Sequence, residues 1–322
     1  MSQTGSQKPA LPFNNLFLNA GAVTGNNHWG IYVIGVMATV MGYVMYQFLV
    51  LPLLVKMAIS NGHTEQEILS DPNILFNPAV TGMDKNLMLA VDFGMFVFAF
   101  MGLFTVITRF HKKTLTSVIT AYESIRWKRF FFAFAVWSIM VGGSIIASYF
   151  YDPSSFKVQF NLSRFLPLLL VTIVLLPIQT STEEILFRGY LMQGLSQVFR
   201  NGIIPLLITS FLFGLAHTQN PEAKAFGLGI MLPYYSLFAF FLGAITLIDE
   251  GLELAMGIHC ANNLVSSLLV TSTNSVLQTD AILAQDKEDP IMEFIAWAFF
   301  ATITFIIFWR KYRWKNFNLI LK

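Results

Sequence analysis

Apolar residues run along this chain in blocks close to the roughly 20 residues that a helix needs to cross the hydrocarbon core of a bilayer. Seven blocks are strong: Ile31 to Val55, Leu87 to Thr108, Phe130 to Phe150, Phe165 to Thr180, Ile203 to His217, Leu228 to Ile248 and Ile291 to Trp309. An eighth, Leu252 to Val270, is weaker because it carries His259, Asn262 and Asn263. An open sheet edge leaves backbone groups unsatisfied in lipid, so helices are the expected form. The pattern predicts an all-α protein, a polytopic membrane bundle of about eight transmembrane helices. Leu115 to Trp127 is only mildly apolar and is flanked by cations. It reads equally as an amphipathic helix along the interface or as an ordinary loop. The polar N-terminal segment, residues 1–27, lacks the basic flank and short apolar core of a cleaved signal, so the first span is expected to stay in the mature protein.

Composition agrees with that reading. Of 322 residues 55% are apolar and 12% charged, against roughly 25% charged in a soluble domain. Such a chain has too little polar surface to coat a water-soluble globule. A net charge of +2 does not suggest a nucleic-acid partner, and the basic residues lie at the edges of apolar blocks, where they act as topology signals. Arg109, Lys112, Lys113, Arg126, Lys128 and Arg129 separate the second and third blocks, and Arg310, Lys311, Arg313, Lys315 and Lys322 follow the last. Both stretches, and with them both termini, are expected in the cytoplasm. Alternation then puts outside the acidic stretches Met57 to Asn86, with Glu65, Glu67, Asp71 and Asp84, and Thr273 to Pro290, with Asp280, Asp286, Glu288 and Asp289. A single cysteine, Cys260, excludes an intrachain disulfide.

An ionisable group at membrane depth costs at least ~2.5 kcal/mol on insertion scales, so it marks a function or a paired structural contact. Three polar clusters occur, all in the second half. In the first, Thr182-Glu183-Glu184-Ile185-Leu186-Phe187-Arg188-Gly189-Tyr190, Glu184 and Arg188 stand four apart with the acid first, the favourable order for a helical ion pair. Glu183 points about 100° away from Glu184 round the helix, which leaves it free to act as a general base. The bland alternative is an ionic knot fastening two helices. The second cluster, Phe213-Gly214-Leu215-Ala216-His217, offers a histidine that alone reads as a packing residue. In the third, His259-Cys260-Ala261-Asn262-Asn263, His259 and Asn263 share a helical face and could donate together to a carbonyl oxygen. Polar glue between helices is the competing reading. Cys260 turns away from His259 and lacks an evident base.

Taken together, Glu183-Glu184-x-x-x-Arg188, Phe213-x-x-x-His217 and His259-x-x-x-Asn263 resemble the three motifs of the CAAX protease and bacteriocin-processing family of intramembrane proteases, also called the Abi family. The resemblance covers Phe165 to Val270, about a third of the chain. It divides the sequence into N-terminal transmembrane helices with a basic loop (28–160), a protease core (161–272), and an external loop, last helix and basic tail (273–322). It implies an intramembrane endopeptidase in which Glu183 and His217 activate water, His259 and Asn263 hold the developing oxyanion, and Glu184 and Arg188 support them. The family's metalloprotease classification leaves zinc open as a cofactor, with Glu183, His217 and His259 as the ligands; the familiar His-x-x-x-His pair is absent. The implied partners are membrane lipid and a membrane-associated or lipidated protein or peptide substrate.

Two competing functions stand beside proteolysis: a non-hydrolytic scaffold of the same fold, and a proton- or ion-coupled transporter using Glu183, Arg188, His217 and His259. A transporter often carries inverted repeats, and none is evident in the sequence. One spatial difficulty accompanies the expected topology. Glu183 and His259 fall toward the cytoplasmic side, whereas His217 ends a straight helix some 20 Å from Ile203.

Overall fold

The computed structural model describes residues 11–315 and 317–320. Lys322 of the basic tail and residues 1–10 of the polar N-terminal segment lie outside that range. A short helix α1 (Leu16–Val23) precedes the bundle. There follow α2 (Trp29–Ser60), α3 (Lys85–Thr105, prolonged by a π turn to Phe110), α4 (Trp127–Tyr151), α5 (Leu162–Glu184), α6 (Met192–Phe199), α7 (Ile203–Ala216), α8 (Leu228–Asp249), α9 (Glu253–Leu269) and α10 (Pro290–Tyr312).

Every apolar block forms a helix, so the all-α membrane bundle holds. The exact count of about eight spans is not confirmed. Among the described residues six helices are long and apolar enough to cross a membrane, one of them the 38-residue run Leu162–Phe199 that joins α5 and α6. At 1.5 Å per residue, α7 with 14 residues and α9 with 17 reach only ~21 and ~25 Å, short of the ~30 Å hydrocarbon core.

α2 turns large apolar side chains such as Met37, Met41, Phe48 and Leu49 outward, as a lipid-facing helix should. α9 is its opposite. From Glu253 to Ala261 every residue is buried, because α9 occupies the centre of the bundle against α4, α5 and α8. Gly257 makes this possible: a Cβ there would overlap the carbonyl oxygen of Phe130 in α4, so only glycine permits so close a crossing.

One end of the bundle gathers α1, the connection between α3 and α4, the turn between α8 and α9, and the chain after α10. Asn15 Nδ2 donates to Leu247 O (2.8 Å) and Leu16 N to Glu250 Oε1 (2.7 Å). Arg126 pairs with Asp249 at 3.0 Å and Glu253 at 2.6 Å, and Trp314 Nε1 donates to Asp249 Oδ1 at 2.9 Å. The segment left open between interfacial helix and loop is a short helix, Leu115–Ile119, followed by a bridge from Thr120 to Gly251.

At the opposite end, three short strands that the sequence does not announce form a sheet in the order β1 (Phe156–Val158), β3 (Leu283–Gln285), β2 (Val270–Ser272). β1 runs antiparallel to β3, with Lys157 opposite Ala284; β2 runs parallel to it, with Thr271 opposite Ala284. The two acidic stretches meet here through Lys85 and Asp280, 3.9 Å apart.

Candidate active site

The first polar cluster lies inside the long helical run, not at its end. The sequence places the end of the fourth span near Thr180; the helix continues through Glu184, opens into a π turn over Ile185–Leu191 and runs on to Phe199. Pro167 and Pro177 both sit inside α5. A π turn inserts one residue into the helical ladder and is common at functional sites.

The spacing argument for Glu184 and Arg188 holds. Arg188 Nη1 donates to Glu184 Oε1 at 2.9 Å, and both side chains are essentially inaccessible, at 1% and 0% exposure. Glu184 also takes a bond that spacing could not reveal: His259 Nδ1 lies 2.7 Å from the same Oε1. Glu184 therefore joins the first motif to the third and fixes the orientation of the His259 ring. The other ring nitrogen, Nε2, lies 3.5 Å from Glu183 Oε2. Neighbouring glutamates that diverge round the helix thus embrace one imidazole, one at each nitrogen.

The two carboxylates differ in what else they do. Glu183 retains 13% exposure, and its Oε2 has no hydrogen-bond partner among the described residues. Glu184 is closed off and committed through Oε1 to Arg188 and His259, and its Oε2 likewise has no hydrogen-bond partner among the described residues. Phe213, from the second motif, is the apolar hub. The Arg188 guanidinium lies 4.3 Å over its ring, His217 stacks on it at 4.3 Å, and the His259 ring meets it edge-on at 6.0 Å.

His217 caps α7 and points Nδ1 at the Phe213 carbonyl oxygen, 2.7 Å away. A carbonyl only accepts, so Nδ1 carries the proton and Nε2 is left for another partner. Tyr235 of α8 also packs on the His217 ring, at 4.8 Å. His217 lies within electrostatic reach of Glu183, His259 and Arg188, so all three motifs meet at one place.

Asn263 belongs to a chain of amides. Trp137 Nε1 donates to Asn262 Oδ1 (3.2 Å), Asn262 Nδ2 to Asn263 Oδ1 (3.2 Å), and Asn263 Nδ2 to Gln179 Oε1 (3.1 Å). This chain fixes which face of the Asn263 amide donates, and it leaves Nδ2 with a second N–H. Gln179 lies one turn before Glu183 on α5, on the same face. Sequence reasoning missed Gln179, Trp137 and Tyr235. A lone amide four residues before Glu183 in an apolar run is a signal that could have found Gln179; nothing in the sequence singles out the other two.

The zinc set that the resemblance leaves open is not gathered in the structure. Among the described residues no three His, Cys, Asp or Glu side chains gather closely enough to hold a metal ion.

The site is deep. Phe238, which meets the His259 ring at 5.5 Å, stands at the midpoint of α8 (Leu228–Asp249). His259 lies six residues, ~9 Å along α9, from Glu253, which pairs with Arg126 at the α1 end of the bundle.

Comparison with known proteins agrees with these motifs. A family profile described as type II CAAX prenyl endopeptidase Rce1-like matches residues 162–265, which contain every residue of the three motifs. The protein called "Uncharacterized protein YyaK" of Bacillus subtilis (strain 168) is 30% identical over 211 residues, 65% of this chain and 70% of its own. No solved structure matches the chain.

Proposed function

The chain belongs to the CAAX protease and bacteriocin-processing family of membrane proteases, and from that premise we propose that it is an intramembrane endopeptidase in which Glu183 activates the attacking water. The observation that carries this reading is the unequal state of the two adjacent glutamates. Glu184 is fully buried and bonded through one oxygen to both Arg188 and His259, while Glu183 keeps a partly exposed carboxylate beside His259 Nε2 and has no bond to Arg188.

In the proposed reaction the Glu183 carboxylate takes a proton from water held between it and His217 Nε2. The hydroxide adds to the scissile carbonyl carbon. The resulting oxyanion accepts hydrogen bonds from the second N–H of Asn263 Nδ2 and from His259 Nε2, the ring carrying protons on both nitrogens in this step because Nδ1 donates to Glu184. The tetrahedral intermediate collapses, the C–N bond breaks, and the leaving amine takes the proton that Glu183 had removed. Arg188 and Glu184 hold the site without touching the reacting atoms. The substrate class proposed is a membrane-associated or lipidated polypeptide, delivered within the plane of the bilayer, with both termini of the enzyme in the cytoplasm.

The test is cleavage of a peptide library by purified protein in detergent and in proteoliposomes, wild type against Glu183→Ala. Loss of cleavage in a variant that elutes and melts like wild type is the expected result. A Glu183→Ala variant that cleaves at the wild-type rate overturns the mechanism.

A further inference from the structure

A groove of about 700 Å³ opens at the end of the bundle that holds α1 and Trp314, between the first turn of α4 and the last turn of α10. Arg126, Lys128 and Arg129 line it from one side, Lys311 and Tyr312 from the other. We propose that this groove binds the phosphate-bearing headgroup of an anionic phospholipid.

The charge balance points to an anion. Arg126 is paired with Asp249 and Glu253, and Arg129 with Asp249, so two guanidiniums face two carboxylates. Lys128 and Lys311 are both exposed, and neither has a carboxylate partner among the described residues. Two of the groove's cations are therefore without an ion-pair partner among the described residues. Two of its cations are steadied on aromatic faces: the Lys311 ammonium lies 4.1 Å over the Phe132 ring and the Arg129 guanidinium 4.0 Å over Tyr312. Cation–π contact holds a charge in place without neutralising it.

The surroundings select a lipid over a free anion. Trp127 is 54% exposed and Trp309 44% exposed at this same end, where amphipathic rings mark the headgroup layer of a bilayer. One turn along α4 from Lys128, Phe131 is 61% exposed and begins an apolar surface on which an acyl chain can lie. A ligand that is anionic at one end and apolar along its length satisfies both parts. Inorganic phosphate satisfies only the first.

The experiment uses the full chain in detergent and counts retained lipid by native mass spectrometry, with phosphatidylglycerol, phosphatidylcholine and inorganic phosphate as separate probes. Each juxtamembrane lysine contributes about five-fold to anionic-lipid binding, so Lys128→Gln with Lys311→Gln is expected to weaken phosphatidylglycerol retention by about 25-fold. Removing two exposed charges at the opposite end, Lys56→Gln with Lys157→Gln, is expected to leave it unchanged. Equal retention of phosphatidylcholine, equal loss in both double variants, or displacement of phosphatidylglycerol by equimolar inorganic phosphate would each overturn the proposal. All four lysines are exposed, so the variants are expected to melt as wild type, and peptide cleavage plays no part in the readout.

Discussion

Glu183 and Glu184 are chemically identical neighbours, and replacing each by glutamine separates the reacting group from the supporting one. Glu184→Gln leaves the guanidinium of Arg188, at 1% exposure, without its carboxylate. Opposite unit charges 4 Å apart attract by ~4 kcal/mol at an effective dielectric of about 20. Breaking a buried pair from one side costs ~3–5 kcal/mol, because the remaining charge stays buried. His259 Nδ1 loses the same acceptor, so both stability and cleavage are expected to fall. Glu183→Gln removes no ion pair to Arg188 and alters a side chain that retains 13% exposure. Its stability is expected to fall less than that of Glu184→Gln, because no buried guanidinium is left unpaired, while cleavage falls ~10²- to 10⁴-fold with loss of the general base. Adding Arg188→Met to Glu184→Gln removes the stranded charge and is expected to restore most of the stability. Cleavage is expected to stay low, because His259 still lacks its anchor. Thermal inactivation half-life in detergent, read beside cleavage rate, separates the effects even when unfolding is irreversible. A Glu184→Gln variant as long-lived as wild type, or a Glu183→Gln variant that loses half-life in proportion to activity, refutes the division of labour.

Two further substitutions probe the scaffold around these groups. Gly257→Ala would drive a methyl group into the Phe130 carbonyl oxygen and part α4 from α9 two residues before His259. It is expected to cost ~1–3 kcal/mol of stability and ~10²-fold in cleavage, as a 1 Å displacement of a reacting group does. Gly143→Ala, on the same α4 but with nothing within 4 Å of the added Cβ, is the matched control, and an equal loss in both variants counts against the crossing argument. Gln179→Leu frees the Asn263 amide from its acceptor; kcat is expected to fall ~10- to 100-fold with KM within two-fold, and Gln179→Glu, which keeps the acceptor oxygen, is expected to recover most of it. A change confined to KM would place Gln179 in substrate binding.

The parts of the fold legible in the sequence are those that face lipid. α2, α3, α4, α8 and α10 advertise themselves because their outer surfaces have to be apolar over a bilayer's thickness. α9 is the weakest of the eight apolar blocks by hydropathy, yet nine successive residues of it are buried, and one fact explains both. A helix enclosed by other helices meets side chains rather than lipid, so Glu253, His259 and Asn263 can be accommodated by partners such as Arg126, Glu184 and Gln179. The strands failed to register because three residues are too few to display a period of two. In the site, Glu184–Arg188 was legible as a local i, i+4 relation. The Glu184–His259 bond was not, since it joins positions 75 residues apart that only the packing of α9 against α5 brings together.

The depth of His217 shows how a local misreading spreads. Taking Glu183 as the edge of the fourth span puts a straight fifth helix, starting at that edge, ~20 Å out of register with it. The charges at 183, 184 and 188 read as an exit from the membrane because a lipid-facing helix could not hold them. Inside the bundle they are enclosed, and the helix has no reason to stop. It continues 16 residues beyond Glu183 to Phe199, a climb of ~24 Å, before α7 turns back for 14 residues from Ile203 to His217, a descent of ~21 Å. The two lengths nearly cancel, so His217 returns to the level of Glu183, and its ring stacks on Phe213, over which the Arg188 guanidinium also lies. The shortness of α7, which removes it from the set of full-length spans, is therefore the same feature that delivers the second motif to the first.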